Sequence, residues 1–124
     1  REVFDLASGA GLKLLGIGTV DSAAYLVKSG MLDEEEAREI AAAGCAGEML
    51  GQFFDVHGRI IETTLSNRTL AASLSGDTSE RTVAIAGGAG KIAAIRAVLK
   101  SNLLTGLITD ERTARQLIAA DKQK

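Results

Sequence analysis

Two stretches in the last third of the chain carry the residue types best suited to chemistry. The first is Thr82-Val83-Ala84-Ile85-Ala86-Gly87-Gly88-Ala89-Gly90-Lys91, and the second is Gly106-Leu107-Ile108-Thr109-Asp110-Glu111. In each, a short β-type apolar run stops at glycine or polar residues, and an amphipathic segment follows. A lysine that opens a helix beside free backbone N–H groups makes a seat for phosphate. Lys91 also opposes the dipole of the helix it begins, a local inconsistency that an anionic ligand would resolve. In open α/β sheets ligands collect at the carboxyl ends of the strands. On that rule the polar residues worth following are Thr19 and Asp21, Asp55, Asn67 and Arg68, the Gly87, Gly88 and Lys91 set, and Asp110. Carboxylates among them suit sugar hydroxyls. Asp110 also reads as the plain N-cap of a following helix.

Sharper motifs fail. A phosphate-binding P-loop would need glycine where Ile85 stands and Ser or Thr where Ile92 stands. Gly16-Ile17-Gly18 opens like a dinucleotide turn, but the third glycine position is Asp21. One His and one Cys with scattered carboxylates give no metal-ligand spacing, so no metal and no cofactor are expected. His57 sits in an expected turn, and no Ser-His-Asp arrangement is available. No catalytic residue is assigned. Cys45, between Gly44 and Ala46, reads as a small buried apolar residue.

The elements that must position these residues follow from periodicity. Val3, Leu6, Ala7 and Ala10 share a helix face that Gly9 and Gly11 end. Leu12–Thr19 reads as a buried strand, and Val20–Leu32 as a loop with one helical turn at Ala23–Lys28. Asp33 with Glu36 has the spacing of a capping box for a helix that Gly44 stops. Glu48–Phe54 reads as one strand, Asp55–Gly58 as a turn, and Arg59–Leu65 as its hairpin partner. Leu70–Leu74 suggests a short strand and Ser75–Arg81 a loop. Val83–Ala86 is a strand, and Ile92, Ile95, Val98 and Leu99 line one face of a helix. Leu104–Thr109 is a strand, and the last helix carries a stripe of Ala114, Leu117 and Ile118.

With 124 residues, a formal charge of −2 and 46% apolar residues, the chain is at most one compact domain. It has no basic stripe with interleaved aromatics, which argues against nucleic-acid binding by this segment itself. No apolar run approaches the length of a membrane span, and no signal peptide is visible. One cysteine excludes an internal disulfide and fits a reduced, cytoplasmic compartment. The chain begins at Arg1, inside an apparent helix, which reads as part of a longer protein.

Five pieces in order carry a resemblance. They are Leu15-Gly16-Ile17-Gly18-Thr19-Val20-Asp21; Gly47-Glu48-Met49-Leu50-Gly51-Gln52-Phe53-Phe54-Asp55 with Gly58; Asn67-Arg68; Ala86-Gly87-Gly88 with Lys91 and Ala93-Ala94-Ile95-Arg96-Ala97; and Ile108-Thr109-Asp110-Glu111 with Thr113-Ala114-Arg115. Together they resemble the C-terminal part of the sugar-binding domain of the SorC family of bacterial transcriptional regulators. The resemblance implies an α/β, Rossmann-like open and mostly parallel sheet with flanking helices, similar to the sugar-phosphate isomerase and deaminase group. It implies a sensor of a phosphorylated sugar, with residues 1–124 as part of the effector domain. The helix-turn-helix and the first half of that domain would lie outside the chain. Operator DNA would be reached only through that separate part, and the parent would be a homo-oligomer, a tetramer. Under the family pattern Lys91 holds the effector phosphate, Asp55 bonds effector hydroxyls, and Arg68 adds a polar contact, with Gly87, Gly88 and Thr19 beside them. The competing expectation is a phosphosugar isomerase or deaminase, which needs a general base near the sugar carbons. Asp55 or Asp21 would have to serve, and no carboxylate pair or histidine stands at the strand ends.

Overall fold

The computed structural model describes residues 2–62 and 81–122. Helix α1 (Glu2–Ser8) leads into strand β1 (Leu12–Leu15), followed by α2 (Ser22–Lys28) and α3 (Glu34–Ala42). Strands β2 (Cys45–Met49), β3 (Gln52–Asp55) and β4 (Ile60–Ile61) come next, then β5 (Arg81–Ile85). A 3-10 turn (Ala89–Lys91) runs into α4 (Ile92–Lys100), and β6 (Gly106–Ile108) and α5 (Glu111–Asp121) close the described chain.

The strands form two sheets. One is parallel with order β1-β5-β6, Leu12 pairing with Arg81 and Val83 with Gly106. The other is antiparallel with order β2-β3-β4. The β5-α4-β6 crossover is the unit that the glycine-ended strand pattern implies, and the α/β class read from the sequence is the class observed.

Helix α4 lies between the two sheets. Its Ala94, Ile95, Ala97 and Val98 are buried in one cluster with Ala84 and Ala86 from the β5 side and Ala46, Met49 and Phe54 from the β2-β3 side. Successive residues of a strand face opposite ways, so Phe53 turns to the far side of the antiparallel sheet. There it packs with Leu32 and Ile40 from the α2-α3 side. Two adjacent phenylalanines thereby join two cores. Helix α3 begins as its sequence requires: the Asp33 carboxylate accepts from the Glu36 N–H at 2.8 Å, and the Glu36 carboxylate accepts from the Asp33 N–H at 3.1 Å.

Three elements differ from their sequence expectation. Glu48–Phe54 is not one strand. Leu50 and Gly51, with φ of 53° and 75°, make a two-residue turn that splits it into β2 and β3. Positive φ at both central residues matches the twist of paired strands, and a leucine at the first of them hides the turn from sequence reading. Residues 22–28 form a full helix rather than a loop with one turn. Strand β1 ends at Leu15, because Gly18 leaves the parallel sheet and bridges to Glu48 instead. The expectations for residues 63–80, including the Leu70–Leu74 strand and most of the Ser75–Arg81 loop, lie outside the described residues.

The fit of α4 against β2 is close. A Cβ built on the buried Gly47 would lie 2.9 Å from the Ala94 carbonyl oxygen and 3.0 Å from its Cα. Backbone that close gives way only by a shift of the helix. Gly47→Ala is expected to destabilise the protein by about 1–3 kcal/mol, the usual cost of overpacking, read as a lower thermal midpoint. An unchanged midpoint would show that α4 has slack.

Candidate functional site

Strands β1, β5 and β6 run parallel, so their carboxyl ends open on one edge. The chain leaves them as Gly16-Ile17-Gly18-Thr19, Ala86-Gly87-Gly88 and Thr109-Asp110. A cleft of about 370 Å³ sits there, lined by Ile85, Ala86, Gly87, Lys91, Ile108, Thr109 and Asp110. A hollow beside α1 is lined by Glu2, Asp5, Leu6 and Gly9, with two carboxylates and no cation. A third hollow, between α4 and α5, does carry cations, Arg96 and Lys100, beside Asp121, but it lies along the helices and away from the strand ends. The strand-end cleft is the one that sets a lysine beside a glycine loop.

Lys91 is the N-cap of α4 and half-buried. Its ammonium donates to the Ile17 carbonyl oxygen at 2.9 Å. The bond ties the loop after β5 to the loop after β1, 74 residues apart in sequence. An ammonium has three donors, so this bond leaves two for a ligand. The positive helix end beneath Lys91 disfavours a bare cation there, and the carbonyl dipole offsets part of that cost.

Across the cleft, Asp110 caps α5. Its Oδ1 accepts from the Thr113 N–H and its Oδ2 from the Thr113 hydroxyl, both at 2.8 Å. The Thr113 oxygen in turn accepts from the Gly88 N–H at 2.9 Å. This relay pins the glycine loop to the first turn of α5. It also explains Gly87: a Cβ there would lie 2.5 Å from Asp110 Oδ2 and 3.3 Å from Thr109 Oγ1. The two bonds from Thr113 hold the Asp110 carboxyl below its ordinary value of 3.8, the backbone N–H being the larger cause.

The structure therefore brings Lys91, Gly87 and Gly88 together. Thr19 is half-buried on the β1 loop, two residues beyond the Ile17 carbonyl that Lys91 holds. Asp55 is not brought to the cleft. Its Oδ1 accepts from the backbone N–H of His57 at 2.8 Å and of Arg59 at 3.0 Å, so it closes the β3-β4 turn. These bonds, that from Arg59 first, lower its pKa. The same turn meets the far end of α4, where Lys100 Nζ donates to the Val56 carbonyl at 3.3 Å. A nine-residue helix, about 13 Å at 1.5 Å per residue, stands between that end and Lys91. The displacement follows from the Leu50–Gly51 turn, which sends β3 away from the strand-end edge. Arg68 lies outside the described residues.

Sequence reading missed three participants. The Ile17 carbonyl carries no side-chain signal. Thr113 had one, since it stands three residues after an aspartate cap. Glu48 anchors the loop after β1 by its paired backbone bonds with Gly18, 2.8 and 2.9 Å long, and only the fold discloses that pairing.

With this geometry in place the comparisons with known proteins fall into line. The "Sugar-bind" sugar-binding domain family matches residues 1–119, and the chain belongs to that family of transcriptional-regulator domains. The erythritol catabolism regulatory protein EryD of Brucella abortus is 55% identical over 122 residues, which are 98% of this chain and 39% of that protein. A transcriptional regulator from Streptococcus pneumoniae has the same fold, with a TM-score of 0.81 and 28% identity over 95% of this chain and 45% of its own. The full-length sorbitol operon regulator SorC of Klebsiella pneumoniae gives 0.79 and 25%, covering 94% of this chain and 38% of that one. The chain spans about two fifths of the length of the curated relatives it matches. The relatives that match over nearly the whole chain, EryD and the deoxyribonucleoside regulator of Bacillus subtilis among them, are named as regulators, which favours the sensor expectation over the isomerase or deaminase alternative. No helix among the described residues is long and apolar enough to cross a membrane.

The Asp110 relay makes a pH prediction. A carboxylate whose folded pKa is depressed adds stability that is fully present above the unfolded value of 3.8 and is lost as pH falls through the lower folded value. Below about pH 4 the thermal midpoint is expected to fall more steeply in the wild type than in Asp110→Asn, which keeps a cap but cannot titrate. Parallel slopes would show that Asp110 contributes no such linkage.

Proposed function

We propose that this domain is the C-terminal part of an effector-binding domain that senses a phosphorylated sugar or polyol for a bacterial transcriptional regulator. The observation that carries the proposal is Lys91. It is a half-buried ammonium at the mouth of a strand-end cleft, held by the Ile17 carbonyl with two donors left for an anion. Gly87 lines the cleft without a side chain to obstruct a ligand, Gly88 stands next to it, and Thr19 lies on the β1 loop that Lys91 holds. Likeness to a regulator named for erythritol catabolism favours a short-chain polyol phosphate as effector.

In this proposal the phosphate joins Lys91 on the pinned β5 loop and draws the β1 loop toward it. A ligand shifts an equilibrium only by its difference in affinity for the two states. The conformation in which both loops reach the phosphate is therefore the one it selects. The rest of the parent protein contains the operator-binding part, assembles as a tetramer in the cytoplasm, and reads that selection as a change in DNA affinity. Asp55 serves the β3-β4 turn rather than the effector.

The test is thermal unfolding of the intact parent protein with erythritol, an erythritol monophosphate, and pentose and hexose phosphates. A ligand of the native state raises the midpoint as RT ln(1 + [L]/Kd). One phosphorylated compound should stabilise the wild type. Lys91→Ala should weaken its binding tenfold or more, since a hydrogen bond to a charged group contributes about 1.5–3 kcal/mol. Equal shifts in both proteins, or stabilisation by unphosphorylated erythritol alone, would refute the phosphate seat.

A further inference from the structure

The strand-end cleft contains two charges of opposite sign. Lys91 and Asp110 both line it, yet a phosphate seat has no use for a carboxylate, which repels it. As a helix cap alone, Asp110 would be equally served by serine or asparagine. We propose that Asp110 is a specificity-determining residue that reads the hydroxyl groups of the effector, so that the ligand lies with its phosphate at Lys91 and its hydroxyl-bearing carbons against Asp110. The inference rests on the effector site proposed above and adds the orientation and the chemical class that the site selects.

Three observations carry it. First, an ionised carboxylate is an acceptor with about four lone-pair positions, and the two Thr113 bonds occupy one on each oxygen. The residue is exposed at the cleft mouth, so its other positions are open to donors. Sugar and polyol hydroxyls are donors, and a phosphate dianion is not. Second, the carboxylate is fixed before any ligand arrives. Thr113 holds both oxygens, the Gly88 N–H holds Thr113, and Gly87 lacks the Cβ that would push Oδ2 aside. An acceptor already in place loses little ordering entropy on binding. Third, the Thr109 hydroxyl oxygen, in the cleft wall next to Asp110, is buried without a hydrogen-bond partner. A buried polar atom left unpaired is costly, and a hydroxyl-rich ligand is the kind of molecule that supplies its partner.

A site built to bond hydroxyls rejects an analogue that lacks them, because the site's own polar groups are then left unpaired. The experiment is calorimetric titration of the intact parent protein with two probes, an erythritol monophosphate and n-butyl phosphate. The two share the phosphate and the chain length and differ in hydroxyls. The wild type should prefer the polyol phosphate strongly. Asp110→Asn should cut the preference ratio at least tenfold while leaving n-butyl phosphate binding unchanged or tighter, and Asp110→Ser, a second capping residue, should do the same. Lys91→Ala should weaken both probes and leave the ratio in place. An unchanged ratio in whichever capping variant folds overturns the role of Asp110 while leaving the phosphate seat standing. Loss of neither probe in Lys91→Ala overturns the seat, and with it this inference.

Discussion

Helix α4 is held on two sides, and that confinement sets the position of the groups discussed above. The parallel sheet meets it through Ala84 and Ala86, and the antiparallel sheet through Ala46, Met49 and Phe54, with Gly47 at the closest approach. Small residues on both sheets let the helix come near each of them, and close-packed interiors tolerate little displacement. Because α4 cannot slide, its N-cap residue cannot either. Lys91 is fixed at the carboxyl edge of the parallel sheet, within reach of Ile17. The last turn is fixed as well, and Lys100 meets the β3-β4 turn there.

The parts of the fold that show in the sequence are those with local causes. The Asp33-Glu36 capping box, the glycine-ended β5, the apolar stripe of α4 and the Asp110 cap are each written within a few residues. The α/β class follows from them. What does not show depends on contacts distant in sequence. Leu50 adopts a positive φ because β2 and β3 pair around it, and a leucine announces no such turn. Gly18 abandons β1 because Glu48 is there to pair with. Asp55 belongs to the opposite end of α4 for the same reason: once the hairpin turns at Leu50–Gly51, the end of β3 is carried off the strand-end edge. A motif shared with a family carries the spacing of its residues but not the direction in which an unrecognised turn sends them.

The cleft itself was half legible. Lys91, Gly87 and Gly88 announce themselves as a cation and two small residues at a strand end. Asp110 reads as a cap and is one, with its Thr113 bonds in place. Its second aspect, a carboxylate facing the same cleft as a lysine, emerges only when β5 and β6 are set side by side. Under the proposed reading, the opposite charges give the cleft an end for an anion and an end for donors. That polarity suits a molecule with a phosphate at one end and hydroxyls along its length. In that reading sensing is linked to shape, because the anion end spans the loops that follow two strands and Lys91 bonds one loop to the other.

The most direct measurement is a crystal structure of the intact parent protein with an erythritol monophosphate bound. The account predicts the phosphate within hydrogen-bond distance of Lys91 Nζ, at the carboxyl ends of β1 and β5. A phosphate lodged elsewhere, with Lys91 bonded only to the Ile17 carbonyl, would contradict it.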